Sequence, residues 1–202
     1  MTVKIANLDF KSGKPNPSGI LPIAYAIKKS LITSWPTIVD DPEAADATLA
    51  SMVNYEGDFV LAEGATFISI YSTHGKGKAY WEAQGEADCK SYINKATLSF
   101  PSIDDNSRGY AKMVVNDDYV YVVPAPGNKF HVIGHQDYPT LSSVNGDTGD
   151  AATSAHGLTI NVECTDTTPL PEDSVEQNLM ALVLTKERLN EFIKTGEVKG
   201  PA

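Results

Sequence analysis

TFISIYSTHGKGKAYWEAQGEADCKSYINKATLSF, residues Thr66–Phe100, is the stretch whose reading decides the fold. Phe67-Ile68-Ser69-Ile70-Tyr71 is a β-branched and aromatic run of the kind that suits a pleated, half-buried surface. Gly75-Lys76-Gly77 makes a turn, and a regular alternation follows it. Even positions read Lys78, Tyr80, Glu82, Gln84, Glu86 and Asp88, while odd ones read Ala79, Trp81, Ala83, Gly85, Ala87 and Cys89. Side chains on a strand point alternately to opposite faces. Such a strand therefore has one polar, mostly acidic face and one small or apolar face. In the next run Tyr92, Ala96, Leu98 and Phe100 put the apolar residues on even positions, so a turn or β-bulge is expected between about Glu86 and Asn94.

Outward from this antiparallel unit, the chain reads as mainly β. Before it, Ile23, Tyr25 and Ile27 share one face of a strand ending at Lys28-Lys29, and Gly57–Leu61 reads as another strand. Between them Asp41, with Pro42 after it, is placed to cap a short helix reaching Ala50. After it, Ser102 with Asp105 three residues on forms a variant capping box. Ile103, Tyr110, Ala111 and Val114 make the stripe of a helix that Asp117-Asp118 ends. Tyr119–Val123 is apolar on both faces, as a strand covered on both sides would be. Pro124–Asn128 is a turn, Phe130–Ile133 the return strand, Leu141–Val144 a further strand and Asn145–Asp150 a loop. Leu158–Thr165 alternates as a half-buried strand.

Residues 1–19 read as an extended arm, with Val3, Ile5 and Phe10 followed by Lys-Pro-Asn-Pro-Ser-Gly. Residues 20–169 make a β-sandwich domain. Composition changes at Pro169-Leu170-Pro171, and residues 170–202 read as an extension with an amphipathic helix from Thr185 to Gly196. The expected fold class is mainly β: an antiparallel β-sandwich with one flanking helix and a short helical extension.

A chain of 202 residues supports one well-buried core. Its net charge of −10 opposes gripping nucleic acid, because neutralising phosphates needs clustered Lys and Arg. MTVKIANLDF lacks a basic region followed by an apolar run, so no signal peptide is expected. The apolar run Ile20–Ile27 contains Pro22 and is about a third of a membrane span. Cys89 and Cys164 lie far apart in the chain and outside any CxxC; the two could pair, but two free thiols in a reducing cytoplasm are expected.

The motifs that promise chemistry are each better explained as structure. His131 and His135 sit four apart, a helical ligand spacing, in a segment that reads as strand and turn. Gly75-Lys76-Gly77-Lys78 lacks the four-residue spacing and the Ser or Thr of a Walker loop. The Asn145–Asp150 loop has oxygen ligands, but His156 stands where an EF-hand requires Glu. His74 and His156 are expected in solvent. Carboxylates alternating along one strand are more often solvated than catalytic, and GxSxG is absent. No catalytic residue, cofactor or metal is expected.

The order Ile23–Lys29 strand, Trp35-Pro36 loop, Lys78–Glu86 segment, helix after Phe100-Pro101-Ser102, then Asn116-Asp117-Asp118-Tyr119 resembles the tail tube (major tail) proteins of tailed bacteriophages. The likeness covers Gly19 to about Pro169 and leaves out the extension. It implies a non-enzymatic virion protein, made in the host bacterial cytoplasm and located in the tail. Six copies per ring, in stacked rings, would bound a channel through which DNA passes without specific binding. Partners would be further copies and other tail proteins, with no membrane. Inner-sheet strands of all copies would close into one barrel, with Glu82, Glu86 and Asp88 facing the lumen. Trp81 and the alanines would face the sandwich core, and Tyr80, Trp81 and Tyr92 would mark the strands shared between core and inter-subunit contacts. Alternatives are a capsid decoration or head–tail connector protein. In another class stands a monomeric β-sandwich carbohydrate-binding module, which would expose an aromatic such as Trp81 or Trp35.

Overall fold

A computed structural model describes residues 8–9, 12–45, 47–151 and 154–173. The helix expected at Thr185–Gly196 lies outside the described residues. In chain order the strands and helices are as follows. β1 spans Ile23–Lys28, and a 3-10 turn, Lys29–Leu31, leads into β2, Ile32–Ser34. β3 is Asn54–Tyr55, β4 Val60–Leu61, β5 Ile68–Tyr71, β6 Lys78–Gln84 and β7 Ser91–Phe100. Helix α1, Asp105–Val114, precedes β8, Tyr119–Ala125, and β9, Lys129–Ile133. β10, Thr140–Asp147, β11, Gly157–Asp166, and β12, Glu172–Asp173, complete the set among the described residues. The mainly β, sandwich-like class with one helix is what the alternation predicts.

One sheet has the order β3-β12-β9-β8-β1-β5, the other β10-β11-β7-β6, and β2 and β4 form a small pair. The core between the two large sheets takes Ala24, Ala26 and Ile70 from β1 and β5, and Tyr121, Val123 and Ile133 from β8 and β9. Facing them are Ala96 and Leu98 of β7 with Ile160, Val162 and Cys164 of β11. A second cluster lies on the other side of the six-stranded sheet. There Ile27, Val120, Val122 and Val132 pack against Tyr55, Phe59 and Phe67. The edge-to-face contacts Trp35–Phe59 at 5.3 Å and Tyr55–Phe59 at 5.9 Å close that side. β8 therefore runs between two apolar layers, which is why Tyr119–Val123 carries no polar face. The same burial applies to β1. Its Ile27 faces the outer layer and its alanines face the sandwich, while Ile23 is exposed.

Several local expectations change. No helix follows Asp41: its carboxylate accepts the amide of Glu43 at 2.8 Å and holds a turn instead. Ala, Asp and Thr there have no apolar stripe to bury, so the local side-chain bond wins. Helix α1 is capped by Asp104, not Ser102. Ser107 N–H donates to Asp104 Oδ1 at 2.7 Å, and Asp104 N–H to Ser107 Oγ at 2.9 Å. The backbone amide and then the hydroxyl of Ser107 hold the Asp104 carboxyl below its usual range. The stripe itself holds, with Val114 buried and Tyr110 packed on the core.

β10 takes in Asn145–Asp147, so the loop starts later than predicted, and β4 is only the last two residues of the expected Gly57–Leu61 strand. The Pro124–Asn128 turn shortens because Pro124 and Ala125 pair with Phe130 and Lys129. Ser12–Gly19 has neither strand nor helix, as expected of an arm. The body does not stop at Pro169, however. Glu172 and Asp173 form β12, paired with both β3 and β9, so the sheet continues to Asp173.

Candidate functional site

The β6–β7 hairpin and the sheet it belongs to hold every sequence-predicted site residue. β6 ends at Gln84 because Gly85 takes φ +96, and a Cβ there would lie 2.1 Å from the carbonyl oxygen of Cys89. The turn that follows contains Asp88 at φ 63 and a Cys89 N–H to Glu86 C=O bond of 3.2 Å. Of the three predicted acids, only Glu82 sits on the strand face; Glu86 and Asp88 sit in the turn. The alternation in the sequence runs on past the point where the backbone reverses. The change of parity is the consequence of register: Lys78 opposes Thr97 and Tyr80 opposes Lys95, so even residues of β6 share a face with odd residues of β7.

That face crosses all four strands. One row reads Tyr80, Lys95, Glu163, Leu141 and the next Lys78, Thr97, Asn161, Ser143. Its cations are engaged. Lys95 Nζ lies 2.8 Å from Glu82 Oε2, and that hydrogen bond raises the Lys95 pKa. Lys78 Nζ stands 4.4 Å above the Tyr80 ring and Lys95 Nζ 5.9 Å from it. Thr97 Oγ1 donates to Asn161 Oδ1 at 3.0 Å. Tyr80, Lys95, Leu141, Asn161 and Glu163 line a shallow groove of about 300 Å³. Glu163, and Glu82 from the adjoining row, share the face with Lys78 and Lys95, so charge there is balanced where an acidic wall was expected.

Trp81 is the second correction. Parity puts it on the core side, opposite Asn94, yet it is 50% exposed. β6 is the outermost strand, and past Ala79, which packs on the core, its core-side residues lie beyond the opposite layer. Trp81 stacks edge-to-face on Tyr92 at 5.6 Å instead. Tyr92 and Tyr80 are half-buried. Leu141, 60% exposed, is a member of the face that sequence reading missed, because nothing local shows that β10 borders β11.

Elsewhere the histidines separate. His74 and His156 are exposed. His135 Nδ1 accepts the amide of Asp137 at 3.0 Å, and its ring lies 4.8 Å from that of Tyr138. His131, in β9, is partly buried, and its Nδ1 atom is buried with no hydrogen-bond partner among the described residues; the carboxylate of Glu172 is 3.9 Å away and Lys129 bonds that same carboxylate at 2.7 Å. Burial lowers the His131 pKa, with Glu172 opposing and Lys129 assisting. Unfolded His131 therefore takes up a proton before the folded form does. Stability is present above the unfolded imidazole range and is lost as pH falls through it toward the folded value. Urea denaturation between about pH 7 and about pH 5 should show this loss, and His131→Gln should flatten that part of the slope.

Cys89 is exposed and Cys164 buried, and the two are not linked. Among the described residues no helix is long and apolar enough to cross a membrane. Comparison with protein-family models, with curated proteins and with solved structures finds no match for this chain.

Proposed function

We propose that this chain is a non-catalytic, self-associating structural subunit whose four-stranded sheet supplies one segment of a barrel wall shared between copies, as in a phage tail tube. The observation that carries this reading is the pair of open edges on that sheet. Among the described residues nothing pairs with the outer side of β6 or of β10. β6 has seven residues and β10 eight, with no proline in either and no register shift against their neighbours. Isolated proteins blunt such edges, because unpaired N–H and C=O rows invite another strand. The strands alternate in direction and their number is even. The β6 edge of one copy and the β10 edge of the next are therefore antiparallel wherever copies repeat around an axis. Closure of the ring removes both edges of this sheet.

The exposed face of the sheet then lines the channel. Its lysines are bound to Glu82 and to the Tyr80 ring, and each copy carries a net charge of −10. Such a wall has little free positive charge to hold a phosphate backbone, so DNA passes without specific binding. The location that goes with this role is the virion tail.

Negative-stain imaging and light scattering of the concentrated protein test the proposal. Stacked rings or tubes are expected. A monomer at every concentration, with no rings, would end it. Single rings that do not stack would turn the assignment to a head–tail connector, and particles bound to a capsid surface to a decoration protein. The exposure of Trp81 favours one rival, a carbohydrate-binding module. Glycan affinity that is lost in Trp81→Ala, from a protein that stays monomeric, would establish that rival.

A further inference from the structure

A further open edge lies on the other sheet. β5, Ile68–Tyr71, ends the six-stranded sheet and pairs only with β1 among the described residues. Beside it a cleft of about 300 Å³ separates β5 from α1 and reaches the sandwich core, lined by Ser69, Ile70, Tyr71, Phe100, Tyr110 and Leu158. An unpaired strand beside an apolar cleft is the geometry that accepts an added strand. Backbone bonds give affinity there, and alternate side chains fill the cleft.

The chain has a segment of the matching pattern. Leu8-Asp9-Phe10-Lys11 alternates apolar and charged residues over four positions, the length of β5. Leu8 is 98% exposed, so its own body does not cover it. Ser12–Gly19, with Pro15 and Pro17, is exposed apart from the body and links this segment to the core at Ile20. A proline-containing tether of that length spans about 25 Å at roughly 3.1 Å per residue and resists folding back. Leu8 is thus placed where a neighbour can receive it.

We propose that residues 1–11 of one copy add as a strand beside β5 of a second copy, seating Leu8 and Phe10 in the cleft against Ile70, Phe100 and Leu158. This rests on the reading that copies of the chain associate, but it uses a different edge from the barrel seam. Two sheets would then join the copies at two sites, one within the wall and one through the arm.

Cysteine trapping tests it on the full chain in a Cys89→Ser background. An Asp9→Cys variant carrying a mass tag, which keeps Leu8 and Phe10, is mixed with untagged Ser69→Cys, and separately with Tyr71→Cys so that either register is sampled. Asp9 shares the parity of these two residues when Leu8 and Phe10 face the cleft with Ile70. Glu63→Cys, exposed and away from the cleft, is the control partner. Under mild oxidation the mixed dimer with Ser69→Cys or Tyr71→Cys is expected at tenfold or more the amount formed with Glu63→Cys. Equal yields for all partners would overturn the proposal. So would an Asp9→Cys/Ser69→Cys double variant that closes only within itself, since the arm would then lie in its own cleft. Imaging of the same samples separates the two readings. Rings without the mixed disulfide remove the arm and leave the wall, whereas the mixed disulfide without rings or tubes removes the wall and leaves the arm.

Discussion

Proline at whichever of positions 82 and 83 of β6 turns its N–H outward is expected to weaken assembly strongly while leaving the subunit folded. Neighbouring residues on an edge strand point their backbone N–H groups to opposite sides, one toward β7 and the other outward. Of Glu82→Pro and Ala83→Pro, one therefore breaks the ladder to β7 and the other removes only an outward donor. The outward variant is the informative one. It unfolds at nearly the wild-type denaturant concentration, because proline is tolerated on a free edge. In a shared wall the same change leaves a carbonyl of the next copy's β10 without its donor, at about 1–3 kcal/mol per seam. That corresponds to a rise of about fivefold to somewhat over a hundredfold in the concentration needed for rings, with the penalty repeated around the ring. Light scattering across a dilution series measures it. Unchanged assembly in both variants would place β6 outside the wall.

Asn94→Ala is expected to be the most damaging single change in the described core. Asn94 occupies an inward position of β7 between apolar neighbours and is fully buried. Its amide donates to Thr168 C=O at 2.9 Å and to Asp166 Oδ2 at 3.2 Å, and its carbonyl accepts from Leu170 N–H at 2.7 Å. Asp166, also buried, accepts the Thr168 amide at 2.8 Å as well, and burial raises its pKa above the usual carboxylate range. Removing Asn94 strands three polar groups away from water. Each costs about 1–3 kcal/mol, so a loss of at least about 3 kcal/mol is expected in urea denaturation. The damage travels to β12, since this network sets the path from β11 through Leu170 to Glu172. Asn94→Asp sharpens the result. It places a second carboxyl beside Asp166, and like charges at that distance cannot both ionise in a buried site. This variant should be weaker than Asn94→Ala at pH 7 and recover as the pH is lowered and a shared proton restores a donor. A variant equally stable at both pH values would show that Asp166 is not the neighbour that matters.

How far the sequence could be read depends on whether a feature is written locally. β11 was legible because Leu158, Ile160, Val162 and Cys164 alternate with polar residues, and the structure buries all four. β8 was legible because an all-apolar run of five residues has to be covered twice. The acids of the central ribbon were misread for a reason equally physical. Glu86 and Asp88 keep the parity of Glu82 in the sequence, but the left-handed backbone at Gly85 turns the chain before parity can act. Asn94 and Leu141 were passed over because each looks out of place on its own strand. Only the partners that Asn94 finds in the 166–170 segment, and the open position of β10, account for them.

Period and turn chemistry in the chain were therefore enough to determine a mainly β protein, the central hairpin, the flanking helix and the residues of most core strands. These follow from the two-residue repeat of a strand and from residues that stop it. The tertiary structure alone decided which strands are neighbours. It left β6 and β10 as open edges, joined Lys95 to Glu82, moved Trp81 half into solvent and built β12 into the sheet. Strand order is set by contacts between residues far apart in the chain, and no local pattern of side chains carries that information.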